Sequence, residues 1–239
     1  SELKKIDSDL MVVADYGQII PMNILEIAKF GSINVHPSLL PKFRGPAPIQ
    51  QTILMNEKKT GTTLIKMDDK MDHGPIIAQT EYDLSGIEKY GELLIDLANS
   101  SANLLEKTLV PYLAGEIIPR DQDDSQASKH SFIAKKDGEV NAEMSAEEIY
   151  RKHRALSPWP GTWLNYKIRS DNKRLKLIEI ELEKSKSRLA GAVNDFAFTE
   201  DKNLLFKTID GAVVIKKIQV EGGRVMSGVE FYHGYPDIF

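Results

Sequence analysis

A short segment of the chain carries side chains suited to stabilising a negatively charged oxygen. Asn34 and His36 stand two residues apart in the stretch 32–36, so on a strand both side chains point to one face while Val35 points to the other. An amide donor beside an imidazole can donate hydrogen bonds to an oxyanion that develops during group transfer. For these two residues alone a second interpretation stays open, in which Asn34 caps a turn and His36 is a buried histidine with satisfied hydrogen bonds.

An acidic loop lies further along the chain, between two apolar runs. It extends over residues 67–76 and contains three aspartates and one histidine. A carboxylate at Asp72 can orient the imidazole of His36 and relay a proton. The spacing of the aspartates does not match a calcium-binding loop, and the histidine has no evident second ligand, so we predict no metal site. For Asp68 and Asp69 we favour a solvated turn.

These residues need a sheet to position them, and the first half of the chain has the pattern of one. Short apolar runs suited to buried strands alternate with segments of helical spacing, which predicts an α/β layer. Pro37 ends the strand that carries Asn34 and His36, so we expect the pair at the carboxyl edge of the sheet, where open α/β sheets bind ligands. The predicted strands are 10–14, 32–36, 62–67 and 76–82, and the predicted helices are 24–30, 48–56 and 90–113.

The second half of the chain changes to a period-two pattern. Runs of apolar and charged residues follow one another, and two of them are joined by Asp210-Gly211, a dipeptide that favours a hairpin turn. Several short strands at this spacing predict a small β-barrel. The predicted elements are strands at 175–182, 204–209 and 212–220, and a helix at 145–155 that begins with Ser145 as N-cap and a capping box.

Composition and charge bound the class of protein. The chain has 239 residues, no cysteine and a net charge of −4, which excludes disulfides, thiolate catalysis and Cys-ligated metal centres. No apolar run is long enough for a membrane span, and we expect a cytoplasmic protein. Residues 1–129 carry 13 Lys and Arg against 19 Asp and Glu, whereas residues 130–239 carry 18 against 16. The polar segment 119–130 lies at this break and predicts a linker between domains at 1–118 and 131–239.

Beyond these patterns, the sequence resembles the methionyl-tRNA formyltransferase family, which depends on 10-formyltetrahydrofolate. The resemblance covers nearly the whole chain, and the motifs together are highly specific. It is carried by Asn34-Val35-His36-Pro37-Ser38-Leu39-Leu40-Pro41, similar to the family's N-x-H-x-S-L-L-P signature, by Arg44-Gly45-Pro46-Ala47-Pro48-Ile49-Gln50, by Asp72-His73-Gly74 and by Ser157-Pro158-Trp159-Pro160-Gly161-Thr162-Trp163 with the C-terminal Asp210-Gly211, Gln219 and Gly222-Gly223.

The resemblance implies a fold and a reaction. The fold is a Rossmann-like α/β catalytic domain with a mostly parallel sheet, followed by a small OB-like β-barrel that binds tRNA. The reaction is the transfer of a formyl group from 10-formyltetrahydrofolate to the amino group of methionyl-tRNA, the charged initiator tRNA, by a monomer and without a metal. Asn34 and His36 would donate hydrogen bonds to the tetrahedral oxyanion, while Asp72 would keep His36 correctly charged and assist proton transfer.

The resemblance also assigns binding residues. Lys42 and Arg44 are expected to meet the acceptor end of the tRNA. Trp159 and Trp163 could stack on a base, but we favour packing in a core. Asp15 departs from the family, which has a small apolar residue there, and its role stays open. The residues implied for the folate pocket are Ser38, Leu39, Leu40 and Pro41, together with Gln18, Ile19 and Ile20 near the pterin ring.

Two other functions remain open at this point. One is a formyltransferase for an amino sugar or another small amine, and the other is an inactive fragment that binds RNA. A barrel after residue 131 favours tRNA, although sugar formyltransferases can also carry one. The family's catalytic domain opens with a glycine-containing strand–loop–helix unit that nothing in the chain matches, so we expect the N-terminal part of the catalytic domain to be missing. We therefore also expect an exposed sheet edge and weak or no activity from the chain as given.

Overall fold

A computed structural model describes residues 2–183 and 192–239 of the chain. The chain divides into two compact units, Ser1–Phe132 and Ile133–Phe239. The first unit combines a sheet with helices and the second is mainly antiparallel β-structure, which confirms the predicted fold class. Among the residues that the structure describes, no helix has the length and apolar character needed to cross a bilayer.

The first unit is built on a four-stranded sheet, whose strands lie in the same order as in the chain. The first two strands are parallel, with Ala14 opposite Val35, and the other two pairings are antiparallel. The elements are strands β1 (Met11–Ala14), β2 (Ser32–His36), β3 (Lys59–Lys66) and β4 (Ile76–Asp83), and helices α1 (Met22–Leu25), α2 (Pro48–Leu54) and α3 (Tyr90–Leu113).

The strand directions correct one prediction, because this sheet is mixed and not mostly parallel. Residues 67–75 join β3 to β4, and they are fewer than the dozen or so residues that a parallel crossover needs. Between β2 and β3, residues 37–58 are more than that minimum, so the length of this connection would allow either direction. The antiparallel direction of β3 against β2 is established by its register, in which Ile33 lies opposite Lys66 and His36 opposite Thr63.

Helix α3 covers one face of the sheet and decides which side chains of β2 face away from it. Ile33 and Val35 pack in one cluster with Leu64 of β3 and Tyr112 of α3. Since side chains alternate along a strand, Asn34 and His36 point to the opposite face, as the sequence predicts.

Helix α1 is shorter than predicted. Its four residues make one turn, and residues 26–30 of the predicted helix form turns instead. Leu25 and Ala28 are buried at a spacing of three residues, which produced the helical pattern. Gly31, with φ of 77°, then reverses the chain into β2, where the Ser32 hydroxyl donates to the carbonyl of Leu25 at 2.8 Å.

The second unit is a sheet of antiparallel strands with two helices on a shared core. The elements are β5 (Thr162–Ile168), β6 (Asp171–Leu182), β7 (Phe196–Phe198), β8 (Leu204–Lys207), β9 (Ala212–Val220) and β10 (Val225–Ser227), with helices α4 (Ala146–Leu156) and α5 (Gly228–Gly234). The strands follow the order β5-β6-β9-β8-β7, with β10 paired to β9. Leu175, Ile218 and Phe231 lie in one buried cluster with Ile149.

Two local predictions for the second unit are confirmed. The Asp210-Gly211 turn joins β8 to β9, with the amide of Thr208 donating to the carbonyl of Gly211 at 2.9 Å. Ser145 caps α4, because its hydroxyl oxygen accepts from the amide of Glu148 at 3.0 Å, although the described structure lacks the return bond from the Glu148 side chain that would complete the predicted capping box. A side chain that satisfies an amide of the first helical turn stabilises that end of the helix.

The two tryptophans of the chain both lie in the second unit, in contrasting surroundings. Trp163 on β5 is 7% exposed, and the guanidinium of Arg174 lies 4.0 Å from the centre of its ring. Core packing is therefore confirmed for Trp163. Trp159 is 55% exposed, so for this ring the preference for core packing is wrong.

Candidate active site

The candidate site lies at the carboxyl edge of β1 and β2. The two strands are parallel, so the loop that follows β1 and the last residue of β2, His36, emerge at the same edge. Asp72 reaches this edge from the loop between β3 and β4. Thr63 of β3 lies opposite His36. Asn34 precedes His36 by two residues on β2, so the two side chains share one face of the sheet.

The structure brings Asn34, His36 and Asp72 together. The side-chain amide of Asn34 donates to Oδ1 of Asp72 at 3.2 Å, and Nδ1 of His36 lies 3.5 Å from the same oxygen. The second carboxylate oxygen of Asp72 accepts from the amide of Gly45 at 2.8 Å. Residues far apart in the chain thus surround one carboxylate at the end of a strand.

The protonation of His36 follows from its surroundings. Nε2 lies 3.0 Å from the carbonyl oxygen of Phe43, and because a carbonyl only accepts, Nε2 carries the proton and donates it. Burial lowers the pKa of His36 from its usual 6.5, while the nearby charge of Asp72 and the hydrogen bond to Phe43 oppose that shift. The ring is therefore neutral at pH 7, with Nδ1 as a proton acceptor facing Asp72.

The backbone of the Asp72 loop is held by a residue that sequence reasoning missed. Asp72 has a φ of 51°, an uncommon conformation for a residue with a side chain. The amide nitrogen of Gln122 donates to the carbonyl oxygens of Asp72 at 2.9 Å and of Gly74 at 2.8 Å. Nothing in the sequence around Gln122 signals this contact, because the two segments are joined only by the fold.

The polar segment 119–130, which contains Gln122, packs on the first unit. Its Arg120 forms two backbone hydrogen bonds with Ile76 at the start of β4, at 2.7 and 2.9 Å. Further along, the amide of Arg44 donates to the carbonyl of Ser128 at 2.9 Å. We predicted a linker because the composition is polar, but here the polar side chains satisfy groups of the site loops.

Arg44 does not have the exposure that a tRNA contact needs. Its guanidinium donates to Oε1 of Gln122 at 3.0 and 2.8 Å and to Oδ1 of Asp124 at 2.8 Å, and the residue is 3% exposed. The described structure therefore does not support a contact between Arg44 and phosphate, and that contact stays a prediction. Lys42 is exposed, with its ammonium 3.6 Å from Glu57, so it can reach a ligand.

The residues implied for the folate pocket differ in their exposure. The Ser38 hydroxyl is buried and donates to the carbonyl of Lys42 at 2.7 Å. The Leu40 side chain packs with Ile65 and Ile76. These two side chains face the protein interior and are not presented to a ligand. The others are at least partly exposed, with Ile19 at 84%: Leu39, Pro41, Gln18, Ile19 and Ile20.

The acidic loop shows no sign of a metal site. No group of three or more potential metal ligands occurs in the described parts of the chain. Asp68 is more than a solvated turn, because its Oδ2 lies 2.7 Å from Nδ1 of His73 while Oδ1 accepts from the amide of Lys70 at 2.9 Å. Asp69 is exposed, as expected.

Comparison with known proteins assigns the chain to a family. Residues 1–108 match the formyl transferase family model, and residues 132–236 match the model of the formyl transferase C-terminal domain. A methionyl-tRNA formyltransferase of Caldicellulosiruptor saccharolyticus is 38% identical over 98% of this chain and 73% of its own length. The chain belongs to the methionyl-tRNA formyltransferase family.

Solved structures show the fold of this formyltransferase at lower identity. HypX from Aquifex aeolicus, in complex with tetrahydrofolic acid, has a TM-score of 0.74 at 18% identity, over 98% of this chain and 40% of the HypX chain. An N-formyltransferase from Helicobacter canadensis, in complex with folinic acid and dTDP-3-aminofucose, has a TM-score of 0.63 at 23% identity, over 84% of this chain and 70% of its own. At these identities the likeness shows the fold alone.

Proposed function

We propose that the protein transfers the formyl group of 10-formyltetrahydrofolate to the amino group of methionyl-tRNA, the charged initiator tRNA, for translation initiation. The observation that carries the proposal is the arrangement of Asn34 and His36 around the carboxylate of Asp72 at the carboxyl edge of the sheet. It occurs in a chain that matches a methionyl-tRNA formyltransferase over 98% of its length. We also propose that the protein acts as a monomer in the cytoplasm.

Two hydrogen-bond donors of the site stabilise the oxyanion. The side-chain amide of Asn34 and Nε2 of His36 each donate to an oxygen of the protein, Oδ1 of Asp72 and the carbonyl of Phe43. The formyl oxygen takes the place of these internal acceptors when substrate binds. As the amine attacks, negative charge develops on that oxygen, and the two donors stabilise the charge in surroundings of low dielectric.

His36 and Asp72 together assist the transfer of a proton from the attacking amine to the folate nitrogen. The new bond joins the amino nitrogen of methionine to the formyl carbon, and the bond from that carbon to the folate nitrogen breaks. The attacking amine therefore loses a proton and the folate nitrogen gains one. Asp72 carries its negative charge beside Nδ1 of His36, so it stabilises a proton that passes through the pair.

The folate is a co-substrate in this proposal, and it needs both apolar contacts and hydrogen-bonding groups. Ile19 supplies an exposed apolar surface at the edge of the sheet, and Gln18 beside it supplies an amide. With the side chains of Ser38 and Leu40 turned inward, we propose that the backbone of that segment, together with Leu39 and Pro41, contacts the folate. Lys42 is the exposed cation of the site that can reach tRNA phosphate.

A formylation assay tests the function. The protein, at the full length that its gene encodes, is incubated with 10-formyltetrahydrofolate and charged initiator tRNA, and formyl-methionine is measured after the ester is cleaved. We expect formyl-methionine to form. Formylation of a nucleotide-linked amino sugar but not of the tRNA would overturn the proposal, and so would tRNA binding without any formylation.

Substitution of the central residues tests the mechanism. We expect His36→Ala and Asp72→Ala each to lower kcat by roughly 10²–10⁴-fold, the usual range for the loss of a general acid–base group. The melting temperature should change far less than the rate. The matched control is Asp69→Ala, which removes an exposed carboxylate of the same loop and should leave kcat unchanged. Parallel losses of rate and stability would instead identify His36 as a purely structural buried histidine.

A further inference from the structure

The carboxylate of Asp72 can act on His36 only if the loop that carries it is held in place. Asp72 lies in a left-handed backbone conformation, which a residue with a side chain keeps only when its surroundings impose it. Its side chain is held by Asn34 and Gly45. Its backbone carbonyl, and that of Gly74 two residues on, are both held by the amide of Gln122.

Arg44 fixes the direction of that amide. Two guanidinium nitrogens of Arg44, Nε and Nη2, donate to Oε1 of Gln122, so the oxygen of the amide must face Arg44. The NH₂ group of Gln122 is then turned toward the carbonyls of Asp72 and Gly74. A reversed amide would place its NH₂ against the guanidinium and its oxygen against two carbonyls, with no hydrogen bond on either side.

The backbone on either side of Arg44 contacts the same site. The carbonyl of Phe43 accepts from Nε2 of His36, and the amide of Gly45 donates to Oδ2 of Asp72. Arg44 itself is buried. It therefore lies between Phe43, which contacts the imidazole of His36, and Gly45, which contacts the carboxylate of Asp72. A shift of the Arg44 backbone would change both distances together.

We propose that Gln122 and Arg44 form a positioning pair that holds Asp72 at its working distance from His36. The pair does not touch the reacting atoms, and it acts through the loop backbone. The inference rests on the proposed function, since it assigns the pair to the catalytic role of Asp72. Because Gln122 belongs to the polar segment 119–130, this segment would contribute to catalysis, which its polar composition alone does not indicate.

The first test replaces the side-chain amide of Gln122 by groups that cannot donate to the carbonyls of Asp72 and Gly74 in the same way. Gln122→Glu keeps the acceptor for Arg44 but turns a carboxylate oxygen toward the carbonyls of Asp72 and Gly74. Gln122→Asn keeps the amide but shortens its reach, and serves if the glutamate variant does not fold. We expect kcat to fall roughly 10–100-fold, because small displacements of reacting groups cost about that much, with KM for the folate changed much less.

Two comparisons separate positioning from a general loss of structure. Gln126→Ala is the matched control, because the side chain of this exposed glutamine of the same segment donates to Oδ2 of Asp123 at 2.8 Å and reaches neither Arg44 nor the Asp72 loop within the described residues, so its loss should leave kcat unchanged. Arg44→Lys keeps the positive charge but loses the two-pronged contact with Oε1, and should reproduce the fall in kcat.

A double-mutant cycle with Asp72→Asn decides the outcome. If Gln122 acts through Asp72, then Gln122→Glu should cause little further loss of kcat in the Asp72→Asn background. Equal fold losses in both backgrounds, or wild-type kcat in all the Gln122 variants, would overturn the positioning role. Wild-type kcat in the single variant Asp72→Asn would overturn the catalytic role of Asp72 itself. That outcome is measured without any change at Gln122, so it can be distinguished from a failure of the positioning role.

Discussion

At the scale of single residues, the burial of His36 has the widest consequences. Only 4% of the residue is exposed, and burial disfavours its charged form, which lowers its pKa. The carboxylate of Asp72 is therefore held by neutral donors, from Asn34 and Gly45, and not by an imidazolium. A neutral ring beside a carboxylate is ready to accept a proton at neutral pH.

The same burial predicts how stability depends on pH. In the unfolded chain His36 takes up a proton near its usual pKa of 6.5, whereas in the folded protein it does so only at lower pH. The unfolded state thus binds more protons below about pH 6.5, and the stability that is present above that value falls as the pH drops toward the folded pKa. His36→Gln removes this contribution but keeps a donor for the carbonyl of Phe43.

Thermal unfolding of both proteins between pH 8 and pH 5 measures the effect. We expect the wild type to lose more stability than His36→Gln as the pH falls through 6.5. The other histidines are present in both proteins, so their contributions cancel in the difference. Parallel curves over the whole range would show that His36 titrates alike in the folded and unfolded states.

At the scale of elements, the loop between β3 and β4 is shaped by close backbone packing at Gly74. A Cβ added there would lie 1.8 Å from the carbonyl oxygen of Lys66, at the end of β3. Next to it, the amide of Lys66 donates to the carbonyl of Pro75 at 2.9 Å. Glycine lets the two ends of the loop approach, and this approach brings Asp72 to the edge of the sheet.

Gly74→Ala should therefore disturb the loop. We expect a loss of about 1–3 kcal/mol in the free energy of unfolding of the first unit, as for other overpacked sites, together with a lower kcat because Asp72 moves. The control is Gly91→Ala in α3, where nothing lies within 4 Å of the added atom. That variant should be neutral or slightly stabilising, and an unchanged stability in Gly74→Ala would show that the loop relaxes freely.

The elements also show what sequence can and cannot predict here. Strand β2 and the shared face of Asn34 and His36 were predictable, because an apolar run and a period of two are local properties. The direction of β3 was not, since a connection as long as residues 37–58 can return the chain for a parallel or an antiparallel strand. Gln122 was missed for a related reason: a polar segment that binds a loop has the same composition as one that meets only water.

At the scale of the whole molecule, charge is divided unevenly along the chain. Residues 1–129 carry six more acidic than basic residues, whereas residues 130–239 carry two more basic ones. An acidic surplus in the first unit disfavours contact with the phosphates of RNA, so we expect tRNA binding to come from local cations such as Lys42 and from the second unit. Such contacts release counterions from the nucleic acid and weaken as salt rises.

We therefore expect the affinity for initiator tRNA to fall at least roughly tenfold between 50 and 200 mM salt. Fluorescence anisotropy with labelled tRNA measures the slope of log K against log salt. Lys42→Ala should reduce that slope by about one, whereas Lys59→Ala should not, because the Lys59 ammonium lies between two carboxylates, 2.6 Å from Glu81 and 3.7 Å from Asp83. Lys42 has only the longer 3.6 Å contact with Glu57 in the described structure. An affinity that does not respond to salt would exclude phosphate contacts as its source.

The placement of the two tryptophans determines what an optical experiment on this protein observes. Trp159 and Trp163 both belong to the second unit, one open to solvent and one under the guanidinium of Arg174. Intrinsic tryptophan fluorescence therefore reports on the structure of residues 133–239. It does not report directly on the unit that contains His36 and Asp72. Circular dichroism, to which the 24-residue α3 contributes strongly, follows the unfolding of that first unit.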